Sequence, residues 1–151
     1  MTPTFDPQAF WVFSLQQYAL DGMKDYCLGL QNNHGVDINL LLLCHWLDSQ
    51  ALVASEDTLN KLIQISDHWQ HTVLRPLRTG RSAIDKPGAP YQTALANELA
   101  EEKNEQRALV ACINGPAALS DEKPHTAGAN LVAYAAKKQF PLGHGGLLNA
   151  T

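Results

Sequence analysis

Four consecutive leucines, Leu40–Leu43, constrain the fold of this chain more than any other feature. An apolar run of this kind occurs in buried strands and in buried helices, and periodicity alone does not separate the two. Leucine favours helices, whereas buried strands favour valine and isoleucine. Asp37 stands where a helix N-cap belongs, and the apolar character continues to Leu47, over about eleven residues, which exceeds the usual strand of about five or six. The run therefore predicts a helix over about residues 37–48, enclosed by other helices because it is apolar around most of its girth.

The length and charge of the chain exclude several classes of protein. A chain of 151 residues buries roughly 70% of the surface that its unfolded form exposes, so it folds without a metal or a disulfide. Its net charge of −4 argues against a specific nucleic-acid binder or a protein of anionic membranes, which need an excess of Lys and Arg. The longest apolar run, Leu40–Cys44, is far shorter than the roughly 20 residues that cross a bilayer. We therefore expect neither nucleic acid nor a membrane as a partner.

Three widely spaced cysteines, Cys27, Cys44 and Cys112, form no C-x-x-C pair. This spacing provides neither a zinc knuckle nor a thioredoxin-type motif. Free, buried thiols are typical of a reducing compartment. The N-terminal residues also lack the cationic start of a signal peptide. The sequence therefore predicts a cytoplasmic protein.

Capping residues and helix breakers divide the rest of the chain into further helices. Asp6 and Ser55 stand at N-cap positions, and Pro76 interrupts the helix that begins after Ser55. The Pro/Gly-rich residues 86–90 form the strongest internal break. From Tyr91 to about Ile113 the pattern indicates one long helix with a buried stripe and a solvated acidic face.

The fold class that follows is all-α. We predict a compact single-domain bundle of five or six helices around the central helix of about residues 37–48. The domain is expected to cover residues 1–140, and residues 141–151 form a glycine-rich C-terminal tail, which is typical of a flexible end unless it docks.

Three motifs occur in a fixed order along the first part of the chain. They are FWxFSLxxY from Phe10 to Tyr18, CLxLQ from Cys27 to Gln31, and GxDxNLLL from Gly35 to Leu42. With these motifs, roughly residues 10–110 resemble an uncharacterised proteobacterial family of about 150-residue proteins, a domain of unknown function. The resemblance implies a helical protein and implies no activity.

Arg75, Arg78 and Arg81 recur every three residues and form the first candidate site. On a helix this spacing produces a slanted ribbon of guanidinium groups, and guanidinium forks suit carboxylates and phosphates. The ribbon is the best candidate for contact with an anionic partner. The alternative is neutralisation by solvent or within the molecule, by the acidic face of the long helix, which carries Glu98, Glu101, Glu102 and Glu105.

Asp37, Asn39 and His45 form the second candidate site, because they are polar residues in the most apolar part of the chain. One interpretation is a polar pocket for a small ligand, with Asp48 available as a partner for His45. The other is a set of satisfied capping and core hydrogen bonds, which buried polar groups nearly always form.

The remaining patterns favour no specific chemistry. His68 and His71 have a spacing that can hold a metal, but no H-E-x-x-H pair accompanies them. The sequence contains no G-x-S-x-G motif, P-loop or dinucleotide-binding glycine pattern. We expect no metal and no cofactor.

Together these features favour a non-enzymatic accessory or regulatory module that binds another protein. Arg75, Arg78 and Arg81 provide the polar contacts in this hypothesis, and exposed aromatic residues of the first helix provide a second contact. The alternative hypothesis is a small-ligand-binding protein or an enzyme with a polar pocket near Asp37, Asn39 and His45. The sequence leaves the partner and the oligomeric state open.

Overall fold

The computed structural model describes residues 4–143, and in this range the chain forms seven α-helices and one π-helical turn. The helices are α1 (Pro7–Tyr18), α2 (Met23–His34), α3 (Ile38–Ser49), α4 (Glu56–Trp69), α5 (Arg75–Ser82), α6 (Ala89–Ile113) and α7 (Ala129–Lys138); the π-helical turn (Gln70–Leu74) joins α4 to α5. Since α4, the turn and α5 are continuous, the described chain contains six separate helical segments. The predicted all-α single-domain bundle of five or six helices is confirmed.

The leucine run lies at the centre of the core. Leu40–Leu43 are at most 2% exposed, and α3 packs against α1, α2, α4, α6 and α7. The predicted central helix over about residues 37–48 is confirmed, one residue from the observed bounds. Neighbours on every side explain why this helix is apolar around most of its girth.

Local capping chemistry defines the helix ends as predicted. The carboxylates of Asp6 and Asp37 each accept a hydrogen bond from the backbone N–H two residues later, at 3.1 and 2.9 Å. The Ser55 hydroxyl accepts one from the N–H three residues later, at 3.1 Å. Gly35 ends α2 with φ of 66°, a left-handed conformation that glycine adopts without a Cβ clash.

Pro76 changes the hydrogen bonding of its helix without ending it. Proline has no N–H to donate, and its ring crowds the carbonyl four residues earlier. The chain widens into the π-helical turn just before Pro76, where the Arg75 N–H donates to the Gln70 carbonyl five residues earlier. Helix α5 then continues to Ser82.

The predicted solvated acidic face of α6 is wrong. Glu98 is 6% exposed and Glu105 is fully buried, while Glu101 and Glu102 are half-buried. The reason is tertiary: α6 packs against α1, α3, α4 and α5, so more than one stripe of this helix is covered. A helix with many charged residues is predicted to be solvent-exposed when only its own sequence is considered.

The last described residues, 141–143, are the first three residues of the predicted tail. The Tyr26 hydroxyl donates to the Leu142 carbonyl at 2.7 Å. Residues 144–151, which contain most of the predicted glycine-rich tail, lie outside the described range. Within residues 4–143, no helix combines the length and apolar character that crossing a membrane requires.

Asn130 connects the start of α7 to the end of α3. Its Nδ2 donates to Asp48 Oδ1 and to the Leu52 carbonyl, both at 2.7 Å, and its Oδ1 accepts from the Ala54 N–H at 2.9 Å. The Asp48 carboxylate also accepts from the backbone N–H of Asn130 at 2.8 Å. Asn130 is 3% exposed, so these bonds are shielded from water.

Replacing Asn130 with alanine is expected to lower the free energy of unfolding by about 2–4 kcal/mol, because it leaves buried donors and acceptors without partners. Urea denaturation measures this loss. Asn60, exposed on α4, offers a matched control, and Asn60→Ala is expected to change stability by less than about 0.5 kcal/mol. Equal losses of unfolding free energy in the two variants would show that the hydrogen bonds of Asn130 between α3 and α7 do not stabilise the fold.

Candidate functional site

A cleft of about 600 Å³ lies between α1, α2, the start of α3, α5 and α6. We call it the polar cleft. Its apolar lining includes Leu28, Leu95 and Leu99, and its polar lining consists of Ser14, Tyr18, Lys24, Gln31, Asp37, Asn39, Arg78, Arg81, Lys86, Tyr91, Glu98, Glu102 and Gln106. The volume falls in the range of roughly 300–1,000 Å³ that is typical of small-molecule sites.

Amide side chains are held in fixed orientations at the base of the polar cleft. Gln106 Nε2 donates to Asn39 Oδ1 at 2.9 Å and to Ser14 Oγ at 3.1 Å. Ser14 Oγ donates to the Phe10 carbonyl at 2.9 Å, and Asn39 Nδ2 donates to Glu105 Oε1 at 2.7 Å. These bonds link α1, α3 and α6 through one continuous polar network.

Two carboxyl groups meet behind this network. Asp37 Oδ2 accepts from Ser66 Oγ at 2.6 Å, while Glu105 Oε2 is buried and receives no hydrogen bond from a donor among residues 4–143. The two side chains interact directly, and burial together with the Asp37 charge raises the pKa of Glu105 far above its ordinary value of 4.5. A proton on Glu105 satisfies both groups, because two adjacent buried carboxylates cannot both be ionised at low cost.

Arg81, on one wall of the polar cleft, is bonded to Glu98 and Tyr91. Its Nε donates to Glu98 Oε1 at 2.9 Å and its Nη2 to Oε2 at 3.4 Å. Its Nη1 donates to the Tyr91 hydroxyl at 3.3 Å. The ammonium group of Lys86 lies 4.9 Å from the centre of the Tyr91 ring, and Lys86, followed by Arg81, lowers the pKa of the Tyr91 phenol.

Glu102 and Arg78 line the same cleft, and their charges interact. Burial, reinforced by the Glu98 charge, raises the pKa of Glu102 to about 7, although Arg78 opposes the shift. Glu102 therefore gains or loses a proton near neutral pH and can either donate or accept a hydrogen bond. Arg78 Nη2 donates to Gln70 Oε1 at 2.9 Å, and Gln70 Nε2 lies 3.4 Å from Glu105 Oε1.

A family model matches residues 9–109 of the chain, which is more than half of its length. The chain belongs to the DUF2390 family. The model is described as a protein of unknown function, in agreement with the resemblance that the sequence motifs indicate. The comparisons with curated proteins and with solved structures found no match. The region that matches DUF2390 contains every residue that lines the polar cleft, whereas α7 lies beyond it.

The two candidate sites predicted from the sequence meet in the polar cleft of this DUF2390 protein. Arg78 and Arg81 line it from α5, and Asp37 and Asn39 line it from the start of α3. Arg75 is exposed and does not line the cleft, and its Nη1 lies 3.2 Å from His71 Nδ1. The alternative prediction, that the arginines are neutralised by acidic residues of the long helix, is confirmed for Arg81, which pairs with Glu98.

His45 is not part of the polar cleft. It is 2% exposed, its ring lies 5.6 Å from that of Phe13, and burial lowers its pKa. The predicted pairing of His45 with Asp48 is wrong, because Asp48 instead accepts hydrogen bonds from the first residues of α7. A histidine that is buried among apolar groups favours its neutral form.

The aromatic residues of α1 are less accessible than the sequence predicted. Phe10 is fully buried, and Trp11, Phe13 and Tyr18 are half-buried. The predicted exposure of these aromatic residues is therefore wrong, although Trp11 and Tyr18 line the polar cleft.

His68 and His71 are exposed. Within the described range, no three histidine, cysteine or acidic side chains converge in a way that could hold a metal ion. Cys27, Cys44 and Cys112 are free thiols, and burial raises the pKa of Cys27 to about 11, which makes it a poor nucleophile at neutral pH.

Sequence reasoning missed several residues of the site. The charge pattern of α6 places Glu102 and Glu105 on a solvated face, and no sequence motif indicates a role for Gln70, Tyr91 or Gln106. A signal was available in the polar residues at core-facing positions of predicted helices, because Ser14 and Ser66 lie on apolar stripes. Polar side chains at such positions need partners, which indicates a buried network even where its members remain unknown.

Proposed function

We propose that this DUF2390 protein binds a small polar molecule in the polar cleft. The observation that carries the proposal is the presence of Arg78 and Glu102 in one opening of about 600 Å³, beside amide groups that are already oriented. A site of this size accommodates a molecule of metabolite dimensions. The convergence of a cation, a carboxyl group and amides provides donors and acceptors for a ligand that is rich in polar groups.

The buried network supports this proposal on energetic grounds. Polar groups in a core cost stability unless each of them is bonded, and apolar residues of similar volume would avoid that cost. Here Gln106 is 2% exposed and Ser14 is 6% exposed, yet both point toward the cleft. Rigid support behind polar side chains is what a binding site of fixed geometry requires.

Glu102 supports the proposal through its proton equilibrium. A carboxyl group in a cleft with a pKa of about 7 is unusual on a protein surface and is typical of functional sites. Such a group can donate a hydrogen bond to a ligand at pH 6 and accept one at pH 8. It also gives the site the means for proton transfer, should the bound molecule react.

Blocking the cleft tests the proposal. Leu28 is half-buried and lines the cleft from α2, so Leu28→Trp fills part of the opening. We expect some compounds from a set of amino acids, organic acids, sugar phosphates and nucleosides to raise the Tm of the wild type, by about 5 °C at a hundredfold excess over Kd. Leu28→Trp is expected to lose this shift.

The matched control is Val132→Trp, which adds the same ring on α7, where the side chain is 43% exposed and outside the cleft. This variant is expected to respond to ligands like the wild type. If no compound binds, or if Leu28→Trp and Val132→Trp respond equally, a small-molecule site in the polar cleft is ruled out.

The second candidate function is a protein-binding accessory or regulatory module. It is favoured by two exposed leucines at the cleft, Leu15 on α1 at 55% and Leu99 on α6 at 42%. A segment of a partner protein that lies across both leucines would cover the opening. Arg75, exposed on α5, would remain available to that partner, whereas Arg81 is already paired with Glu98.

Site-specific photo-crosslinking in living cells separates this function from the first. A crosslinker at position 15 or 99 is expected to capture the same protein, and a crosslinker at Val132 is expected not to capture it. Capture at all three positions would indicate non-specific contact. Excess of a small molecule that occupies the cleft should displace a true partner.

We also propose the cytoplasm as the location of this protein. The free state of Cys27, Cys44 and Cys112 supports a reducing compartment. Fractionation of cells that express the chain at its native level tests this assignment.

A further inference from the structure

Arg78 and Arg81 both line the polar cleft, but only one of them is neutralised. Arg81 binds Glu98 with two nitrogens and Tyr91 with a third. Among residues 4–143, Arg78 forms no ion pair, and its single side-chain hydrogen bond runs to Gln70 at 2.9 Å. A guanidinium group has five N–H donors, so Arg78 keeps most of them for another acceptor.

We infer that the molecule bound in the polar cleft carries an anionic group, a carboxylate or a phosphate, and that Arg78 holds this group beside Glu102. The inference rests on the proposed function and adds the chemical class of the ligand. Arg78 is half-buried, so water satisfies its charge incompletely. A planar guanidinium binds carboxylate or phosphate oxygens in pairs, which adds both strength and orientation.

The distribution of charge supports an anion. The chain has eleven Lys and Arg residues and a net charge of −4, yet Lys24, Arg78, Arg81 and Lys86 all line this one cleft. Three carboxyl groups, of Asp37, Glu98 and Glu102, line it as well, but Glu98 is paired with Arg81. Lys24 and Lys86 are exposed and can attract an anion toward the opening. Positive groups that line a concave surface raise the local concentration of anionic ligands.

Glu102 makes the binding depend on pH. Burial has the largest effect on the pKa of Glu102. The charged groups that act on it are Glu98 on the same helix, Arg78 and Arg81 on α5 and Asp37 before α3, and Tyr18 on α1 interacts with it in turn. Lys24, Lys86 and Tyr91 complete the titratable lining of the cleft. A protonated Glu102 donates a hydrogen bond to an anion, whereas an ionised Glu102 repels it, so binding is tighter below neutral pH than above it.

Titrations with two simple anions test the inference. Sulfate represents a phosphate-like group and acetate represents a carboxylate, and both keep their charge between pH 6 and pH 8. Chemical-shift titration of the ¹⁵N-labelled full chain follows the residues of the cleft. We expect at least one anion to bind the wild type, with the tighter of the two indicating the class of the ligand.

Substitutions on α5 assign the binding to Arg78. Arg78→Gln is expected to weaken binding of the more tightly bound anion at least tenfold. Arg78→Lys keeps the charge but not the forked guanidinium, so its affinity is expected to lie between those of Arg78→Gln and the wild type. Arg75→Gln removes an arginine three residues away, outside the cleft, and is expected to change Kd less than twofold. Thermal melts of each variant confirm that it is folded.

Glu102→Gln tests the pH dependence. The wild type is expected to bind the anion about fivefold more tightly at pH 6 than at pH 8. This ratio is the effect expected from repulsion by one nearby charge, the ionised Glu102, when solvent partly screens it. Glu102→Gln cannot ionise and is expected to bind equally at both values. Equal binding by the wild type at the two values would overturn the role of Glu102.

The inference as a whole fails if neither anion shifts the resonances of the cleft, or if Arg78→Gln binds like Arg75→Gln. A neutral or cationic compound whose binding is lost in Leu28→Trp but kept in Arg78→Gln would also overturn it. In that last case the proposed function stands, because the cleft binds a small molecule without needing Arg78.

Discussion

Replacing Leu43 with alanine is expected to lower the free energy of unfolding by about 3–5 kcal/mol. Leu43 is fully buried in α3, the helix against which five others pack. Removal of three side-chain carbon atoms forfeits their transfer free energy and leaves a cavity, because neighbours on all sides hold the surrounding helices in place. Chemical denaturation by urea, with intrinsic tryptophan fluorescence as the signal, measures the loss.

Leu20→Ala provides the matched control. Leu20 follows α1 and is 47% exposed, so its truncation is expected to cost less than about 1 kcal/mol. If Leu43→Ala and Leu20→Ala are equally stable, α3 is not the enclosed centre of the bundle. An unchanged denaturant slope in both variants would show that the folded states remain compact.

Replacing Glu105 with glutamine is expected to make the protein more stable than the wild type at alkaline pH. Glutamine reproduces the protonated form of Glu105: its oxygen can accept from Asn39 and Gln70, and its amide can donate to Asp37. The geometry of the buried pair is therefore kept while its ionisation is removed. Glu105→Ala, in contrast, leaves the partners of Glu105 unsatisfied and is expected to cost about 3–5 kcal/mol.

The pH dependence follows from the direction of the pKa shift. The pKa of Glu105 is raised in the folded state above its ordinary value of 4.5, so above pH 4.5 the folded chain holds a proton that the unfolded chain has lost. The stabilisation from this proton is fully present below pH 4.5 and decreases as the pH rises toward the raised value. The difference in stability between Glu105→Gln and the wild type should therefore shift in favour of the variant by about 1 kcal/mol per pH unit between pH 5 and pH 8.

Urea denaturation at pH 5, 6, 7 and 8 measures this trend. Glu122→Gln, which changes an exposed carboxyl group in the loop before α7, is expected to keep the pH dependence of the wild type. Parallel curves for Glu105→Gln and the wild type would contradict a shared proton between Glu105 and Asp37.

The helices could be predicted because their signals are local. A cap such as Asp37 acts on the N–H two residues away, and the character of the leucine run is contained in a dozen neighbouring residues. The same holds for Gly35, whose left-handed conformation ends α2. Helix boundaries that depend on contacts within one or two turns can therefore be predicted from the sequence alone.

The candidate site could be predicted only in part. Asp37 and Asn39 were recognised because they interrupt an apolar segment, and Arg78 and Arg81 because their spacing places them together on a helix. The acidic residues of α6 were misassigned, since a charged helix is exposed unless others cover it. His45 is also polar and lies in the same apolar part of the chain, but its ring lies beside that of Phe13 and does not line the cleft.

Local signals in the chain are enough to specify an all-α bundle around a buried leucine helix, because capping and helical periodicity act over a few residues. The packing of the helices, in contrast, is what places Arg78 and Arg81 of one candidate site and Asp37 and Asn39 of the other in one cleft. Asp37 and Glu105 are distant in the chain and come together only when α3 packs on α6. Burial raises the pKa values of Glu105 and Glu102, and burial is a property of the assembled helices rather than of any one of them.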